Sequence, residues 1–287
     1  MNDYIILTDS SCDLTLEQME QMGVSSIDLE VIIDHGEPIL NNDLDIKEFY
    51  KKLREKGSIS TSAIAMERFL EFFEGYLKDG IDILYLGFSS GLSGTYNAAF
   101  VAAQELSEKY PERKILTVDT LCASLGQGLF VYLATKEKAA GRSIDEVYEW
   151  AKEQRYHLCH WITVDDLFFL KRGGRVNAAT AVMGTMLSIK PIIHIDFKGK
   201  LINVSKARGR KAALDTLIAN MKATAIAPET QTVFICHGDC IEDAEYVSEK
   251  LKTELGVPEV MIGYTGAVIG AHSGPGTLAI FFLGTER

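Results

Sequence analysis

Through the first half of the chain, four apolar runs that read as buried strands each lead toward a short polar loop, with helical patterns between them. The runs are Tyr4 to Thr8, Ser26 to Ile33, Ile81 to Gly87 and Ile115 to Val118. Thr15 with Gln18 forms a capping-box signal for a helix stopped by Gly23, Asp45 with Glu48 opens one closed by Gly57, and Ser143 with Glu146 opens another reaching about His157. Strands alternating with helices call for right-handed crossovers and a mostly parallel sheet. Ligands of such sheets collect at the carboxyl ends of the strands. The richest of those ends is Phe88-Ser89-Ser90-Gly91-Leu92-Ser93-Gly94-Thr95-Tyr96-Asn97, between a strand and a helix expected over Thr95 to Lys109. Its hydroxyls, and the unpaired N–H groups of a first helical turn, suit a carboxylate or phosphate. Equally, Ser93 serves as a helix cap in an ordinary βα turn.

After about residue 157 the pattern changes. Leu158 to Val164, Pro191 to Ile195, Leu201 to Ala207, Thr232 to His237, Val260 to Tyr264 and Leu278 to Leu283 read as six strands. Asp196 to Lys200 reads as a hairpin turn, and Asn177 as the cap of a helix over Ala178 to Leu187. Ser60-Thr61-Ser62-Ala63 and Gly270 to Gly276 read as loops. The expectation is an α/β chain of two lobes. Residues 1–157 form a mostly parallel α/β sandwich, and residues 158–287 an α+β lobe with a mixed or antiparallel six-stranded sheet.

Composition narrows the function classes. A formal charge of −11 over 287 residues argues against a non-specific nucleic-acid binder. No apolar run approaches the ~20 residues of a membrane helix, and no secretory leader is read at Met1. Five cysteines at irregular spacing fit a reduced, cytoplasmic protein. Cys236, His237 and Cys240 are too few for a metal site by spacing alone. There is no P-loop, no H-E-x-x-H and no dinucleotide fingerprint. Gly91-Leu92-Ser93-Gly94-Thr95 is not a G-x-S-x-G nucleophile elbow, since Thr95 replaces the last glycine. The polar clusters Thr61/Ser62, Ser89 to Thr95, Arg172/Arg175 and His272/Ser273 remain, and a Ser–His hydrolase or phosphotransferase using Ser93 stays open beside a binding protein.

In order along nearly the whole chain, the segments Thr8-Asp9-Ser10-Ser11, Ser60-Thr61-Ser62, Ser89 to Tyr96, Val118-Asp119-Thr120, Leu170 to Arg175 and His272-Ser273-Gly274-Pro275-Gly276 resemble the DegV family of bacterial fatty-acid-binding proteins. The resemblance implies two α/β lobes with a long-chain fatty acid between them and no catalytic residue of its own. It implies that Thr61 and Ser93 hold the carboxylate with the Gly94 N–H. Ser62, Arg172, His272 and Ser273 would lie near the head group. It further implies a separate ATP-dependent fatty-acid kinase as partner, with the acyl-phosphate feeding phospholipid synthesis, and room for transient membrane contact. No cofactor is implied beyond the bound fatty acid, and a lipid-responsive regulator is the remaining alternative. Where the family has T-S-x-P-S, this chain has Thr61-Ser62-Ala63-Ile64-Ala65, losing a proline and a hydroxyl. Lys198 to Lys211 carries six cations and no acidic residue in an acidic chain, and is expected to face the kinase.

Overall fold

The computed structural model describes residues 4–55, 57–176, 188–285 and 287. The first sheet has the order β2-β1-β6-β7. Its strands β1 (Tyr4–Asp9), β2 (Val24–Ile27), β6 (Asp82–Gly87) and β7 (Ile115–Asp119) are all parallel. The single strand expected over Ser26 to Ile33 is two. The Leu29 N–H donates to Ser10 Oγ at 2.9 Å, and the chain turns there out of the parallel sheet. It enters a small antiparallel sheet of β3 (Glu30–Ile33), β4 (Ile39–Leu40) and β5 (Ile59–Ser62). The loop expected at Ser60 to Ala63 is therefore mostly strand, with Thr61 opposite Val31. Its polar residues concealed a pairing whose partner lies some thirty residues earlier.

Helices α1 (Leu16–Met22), α2 (Ile46–Arg54), α3 (Met66–Lys78), α4 (Thr95–Lys109), α5 (Leu125–Ala139) and α6 (Ile144–Gln154) fill the crossovers. The capping boxes read at Thr15/Gln18 and Ser143/Glu146 are both formed, and Asp45 accepts from the Lys47 and Glu48 N–H groups. The aromatic stripe of α3 is core: Phe69 and Phe73 are fully buried against Tyr85.

The second sheet is six-stranded, in the order β10-β9-β8-β13-β11-β12. It comprises β8 (Leu158–Thr163), β9 (Ile189–Ile195), β10 (Leu201–Arg208), β11 (Thr232–His237), β12 (Glu259–Tyr264) and β13 (Leu278–Leu283). It is mixed: β11 and β12 pair in parallel, and the other neighbours are antiparallel. Helices α8 (Arg210–Thr224) and α9 (Ile241–Leu255) cover one face with Leu217, Met221, Val247 and Leu251. Against the other face lies α5, apolar nearly all round, as a helix buried between two layers must be. Leu129 and Phe130 join Ile6 and Leu84 of the first sheet to Phe234 and Phe281 of the second in one core. A Cβ at Gly126 would stand 2.3 Å from His160 Nε2, so only glycine lets α5 approach the second sheet this closely.

Two short helices, α7 (Leu167–Arg172) and α10 (Ala267–Ser273), depart from the expected turn at Lys171 and loop at Gly270. Asp166 caps α7 by accepting from the Phe168 N–H. Gly270 sits inside α10 because a side chain there would collide with the Tyr50 hydroxyl. The first part of the segment expected as a loop, Gly270 to Ser273, is therefore helical. The helix expected over Ala178 to Leu187, with its Asn177 cap, lies outside the described residues.

Candidate functional site

The carboxyl ends of β1, β6 and β7 point toward the second sheet, and polar side chains hold their loops in place. Asp9 accepts from the Tyr85 hydroxyl at 2.7 Å and the Phe88 N–H at 2.9 Å. Asp119 accepts from the N–H groups of Ser90 and Leu121, and Thr120 Oγ1 donates to the Gly87 carbonyl. Ser89 donates to the Gly199 carbonyl at 2.8 Å and anchors the β9–β10 hairpin on the serine loop. Asp9, Ser89, Asp119 and Thr120 build the loop and are not lining groups.

Between the two sheets lies an elongated pocket leaving about 920 Å³ free of atoms, part of it open to solvent. Its walls are mostly apolar, drawn from both halves of the chain: Phe88 and Leu92 on one side, Ile162, Ile193 and Leu201 on the other, Val268 and Ile269 along α10.

One end is polar. Thr61, at the end of β5, places its Oγ1 2.8 Å from His272 Nε2. Burial, then the charges of Arg175 and Arg172, push His272 down to about 4, so its imidazole is neutral at pH 7. Ser93 Oγ accepts from the Thr95 N–H at 3.2 Å and lies 2.9 Å from Thr95 Oγ1. It thus serves the start of α4 and lines the pocket as well, with Gly94 beside it. Ser273 is 6 % exposed, lines the pocket, and its hydroxyl has no hydrogen-bond partner.

The cations divide differently from expectation. Arg175 lines the pocket, half-buried, donating from Nε to the Leu92 carbonyl at 3.2 Å. Arg172 is exposed, is not a lining residue, and lies over the Phe169 ring with a 3.4 Å contact to the Ala271 carbonyl. It acts on the site through its charge on His272. One helical turn separates the two: Arg172 ends α7, whereas Arg175 follows Gly174, whose φ of +71° turns the chain inward. Ser62 lines the pocket too, but its hydroxyl is turned to Glu30, which is ion-paired with Arg68. Of the seven expected residues, Thr61, Ser62, Ser93, Gly94, His272 and Ser273 line the pocket and Arg172 does not, whereas Arg175 does.

No Ser–His pair is assembled from these groups: the Ser93 hydroxyl meets Thr95, and His272 Nε2 meets Thr61. Among the described residues no group of three or more His, Cys, Asp and Glu side chains is placed to hold a metal ion. No helix among them is long and apolar enough to cross a membrane.

Five polar lining residues were not singled out for the site from the sequence. Ser124, His160, Cys236, Thr265 and Thr277 lie on separate elements, and no local motif joins them. His160 is fully buried, receives the Ala123 N–H on Nε2 at 3.3 Å, and is held neutral by burial.

Comparison with known proteins now bears on this pocket. The DegV family's sequence profile matches residues 4–285. A DegV domain-containing protein of Clostridium perfringens is 47% identical, the match covering 100% of this chain and 99% of that one. A solved DegV lipid-binding protein of Thermotoga maritima is 31% identical, covers 99% of each chain and superposes with a TM-score of 0.85. A DegV family protein of Ruminococcus gnavus, solved with vaccenic acid, is 25% identical, covers 97% of this chain and 99% of its own, and has a TM-score of 0.88.

Proposed function

This chain belongs to the DegV family, and on that premise we propose that it is a non-catalytic carrier of a long-chain fatty acid. The acyl chain lies in the pocket between the sheets, and the carboxylate at its polar end. The observation that carries the reading is the pairing of a mostly apolar cavity with a polar end where Thr61, Ser93, an unpartnered Ser273 hydroxyl and the Arg175 guanidinium converge. Each buried methylene contributes about 0.8 kcal/mol. A carboxylate buried without partners would cancel much of that gain. Hydroxyls, the Gly94 N–H and a nearby cation offset the cost, and the neutral His272 orients Thr61 without adding a charge.

In this reading Arg172 tunes His272 from outside the pocket and does not touch the ligand. The lobes divide near residue 157, between the end of α6 and the start of β8, and the ligand belongs to both. The carrier works in the cytoplasm and presents its carboxylate to a separate ATP-dependent kinase. The acyl-phosphate product then enters phospholipid synthesis.

The experiment is extraction of the purified protein followed by denaturing mass spectrometry. A long-chain fatty acid at about one per chain is expected. Absence of lipid, together with ester turnover that is lost in Ser93→Ala, would replace the carrier by the hydrolase.

A further inference from the structure

The pocket has a second polar pole. Thr265, Val268, Ile269, His272 and Ser273 all line it. Val268, Ile269, His272 and Ser273 lie on α10, and Thr265 stands two residues before its start. α10 and the residues leading into it therefore border the pocket, with Val268 and Ile269 between the Thr265 hydroxyl and the His272–Ser273 end. Ser273 closes the end already described. At the opposite end Thr265 is fully buried, and its Oγ1 has no hydrogen-bond partner. Its backbone groups are engaged: the N–H donates to the His237 carbonyl at 2.8 Å, and the carbonyl accepts from the Tyr50 hydroxyl at 2.7 Å. The backbone is pinned, and the hydroxyl is left over.

Two further polar groups line the pocket at this pole. The Cys236 thiol, a weak donor, faces the hydroxyls of Ser124 and Thr265. Ser124 gives its proton to Asp13 Oδ2, so its own lone pairs remain free to accept. The pole thus offers a hydroxyl that can donate or accept and a second oxygen that can only accept. A methylene or methyl group placed there would leave Thr265 unsatisfied in a dry site, which is unfavourable.

We propose that the preferred ligand of this chain is a fatty acid oxygenated near mid-chain, its carboxylate at the Thr61–Ser273 end and a hydroxyl at Thr265 and Ser124. The inference rests on the carrier reading above and adds the class of acyl chain. A hydroxyl fits both partners, donating to Ser124 and accepting from Thr265. The rise along α10 from Ala267 to Ser273 is about 9 Å, with Thr265 two residues beyond it, so the hydroxyl belongs near the middle of the acyl chain.

The test is competitive displacement of a fluorescent fatty acid by stearic acid and by stearic acids hydroxylated at about carbons 8 to 12. The isomer hydroxylated beside the carboxylate is the control. At least one mid-chain isomer should bind about tenfold or more tighter than stearic acid, and the control should show no such gain. Thr265→Val should bring the ratio near one by tightening stearic acid and weakening the hydroxylated chain. Thr265→Ser should keep the preference. If stearic acid binds as tightly as every mid-chain isomer, or if Thr265→Val leaves the ratio unchanged, the pole holds only water and the inference is overturned while the carrier reading stands. If none of these acids displaces the probe, the carrier reading fails, and this one with it.

Discussion

Thr61 Oγ1 and His272 Nε2 stand 2.8 Å apart, joining the last turn of α10 to the end of β5 across 211 residues of chain. The imidazole is neutral near pH 7, so it keeps one donor and one acceptor. When Nε2–H donates to Thr61, the Thr61 proton is free for a carboxylate. The contact thus orients the Thr61 hydroxyl through a residue that brings no charge.

Thr61→Val and Ser93→Ala are each expected to weaken fatty-acid binding by about 1.5–3 kcal/mol, the usual loss for a hydrogen bond to a charged group. Neither should unfold the protein, since both side chains lie at the pocket rather than in a core cluster. Titration calorimetry with a C18 acid, alongside thermal melts, measures both. Unchanged affinity in the pair would remove these hydroxyls from the head group.

Arg175→Gln should cost more affinity than Arg172→Gln. Arg175 lines the pocket, whereas Arg172 is exposed and engaged with Phe169 and a carbonyl. A screened surface cation contributes little. Equal losses in the two variants would return Arg172 to the head group.

Asp13 yields a pH signature. Burial raises its carboxyl to about 7, although the Ser124 hydroxyl donates to it. Between about pH 4 and 7 the folded state holds a proton that the unfolded state has released. Stability therefore falls as pH rises through this window, by up to about 4 kcal/mol, and levels off above it. Denaturant melts of wild type and Asp13→Asn from pH 4 to 8 should diverge in favour of Asn as pH rises. A constant difference across the series would exclude this titration.

The cationic stretch at Lys198 to Lys211 is narrower as a docking face than its composition implies. Arg210 is ion-paired with Asp243 at 2.8 Å and lies 3.7 Å from Asp165, so it serves the fold. Lys200 and Arg208 are exposed. Replacing both with Glu should slow acyl-phosphate formation by the cognate kinase at low salt, with fatty-acid binding intact, because such charges act mainly on association rate. Transfer unchanged from wild type at both low and high salt would place the kinase elsewhere.

Much of this architecture is local physics and was readable as such. Capping hydroxyls at Thr15 and Ser143, the terminating Gly23, and the apolar runs of β1, β6 and β7 act over a few residues. So does the serine loop that positions Ser93 at the start of α4. The errors fall where a distant partner decides. Ser60-Thr61-Ser62 is polar enough for a loop, but β3 supplies the backbone partners that make it a strand. Gly270 to Gly276 reads as a loop, but its first four residues belong to α10, packed against Tyr50.

The site divides in the same way. Residue identity alone determined that hydroxyls and a cation were available at Thr61, Ser93, Arg172/Arg175 and Ser273. Only tertiary structure decided which cation turns inward, because that depends on the positive φ of Gly174 after α7 ends. Only tertiary structure brings Thr265, Cys236 and Ser124 to one pole. They come from three elements far apart in sequence, and hydrogen-bond need in a buried pocket is a property of the space between elements, which no stretch of chain carries by itself.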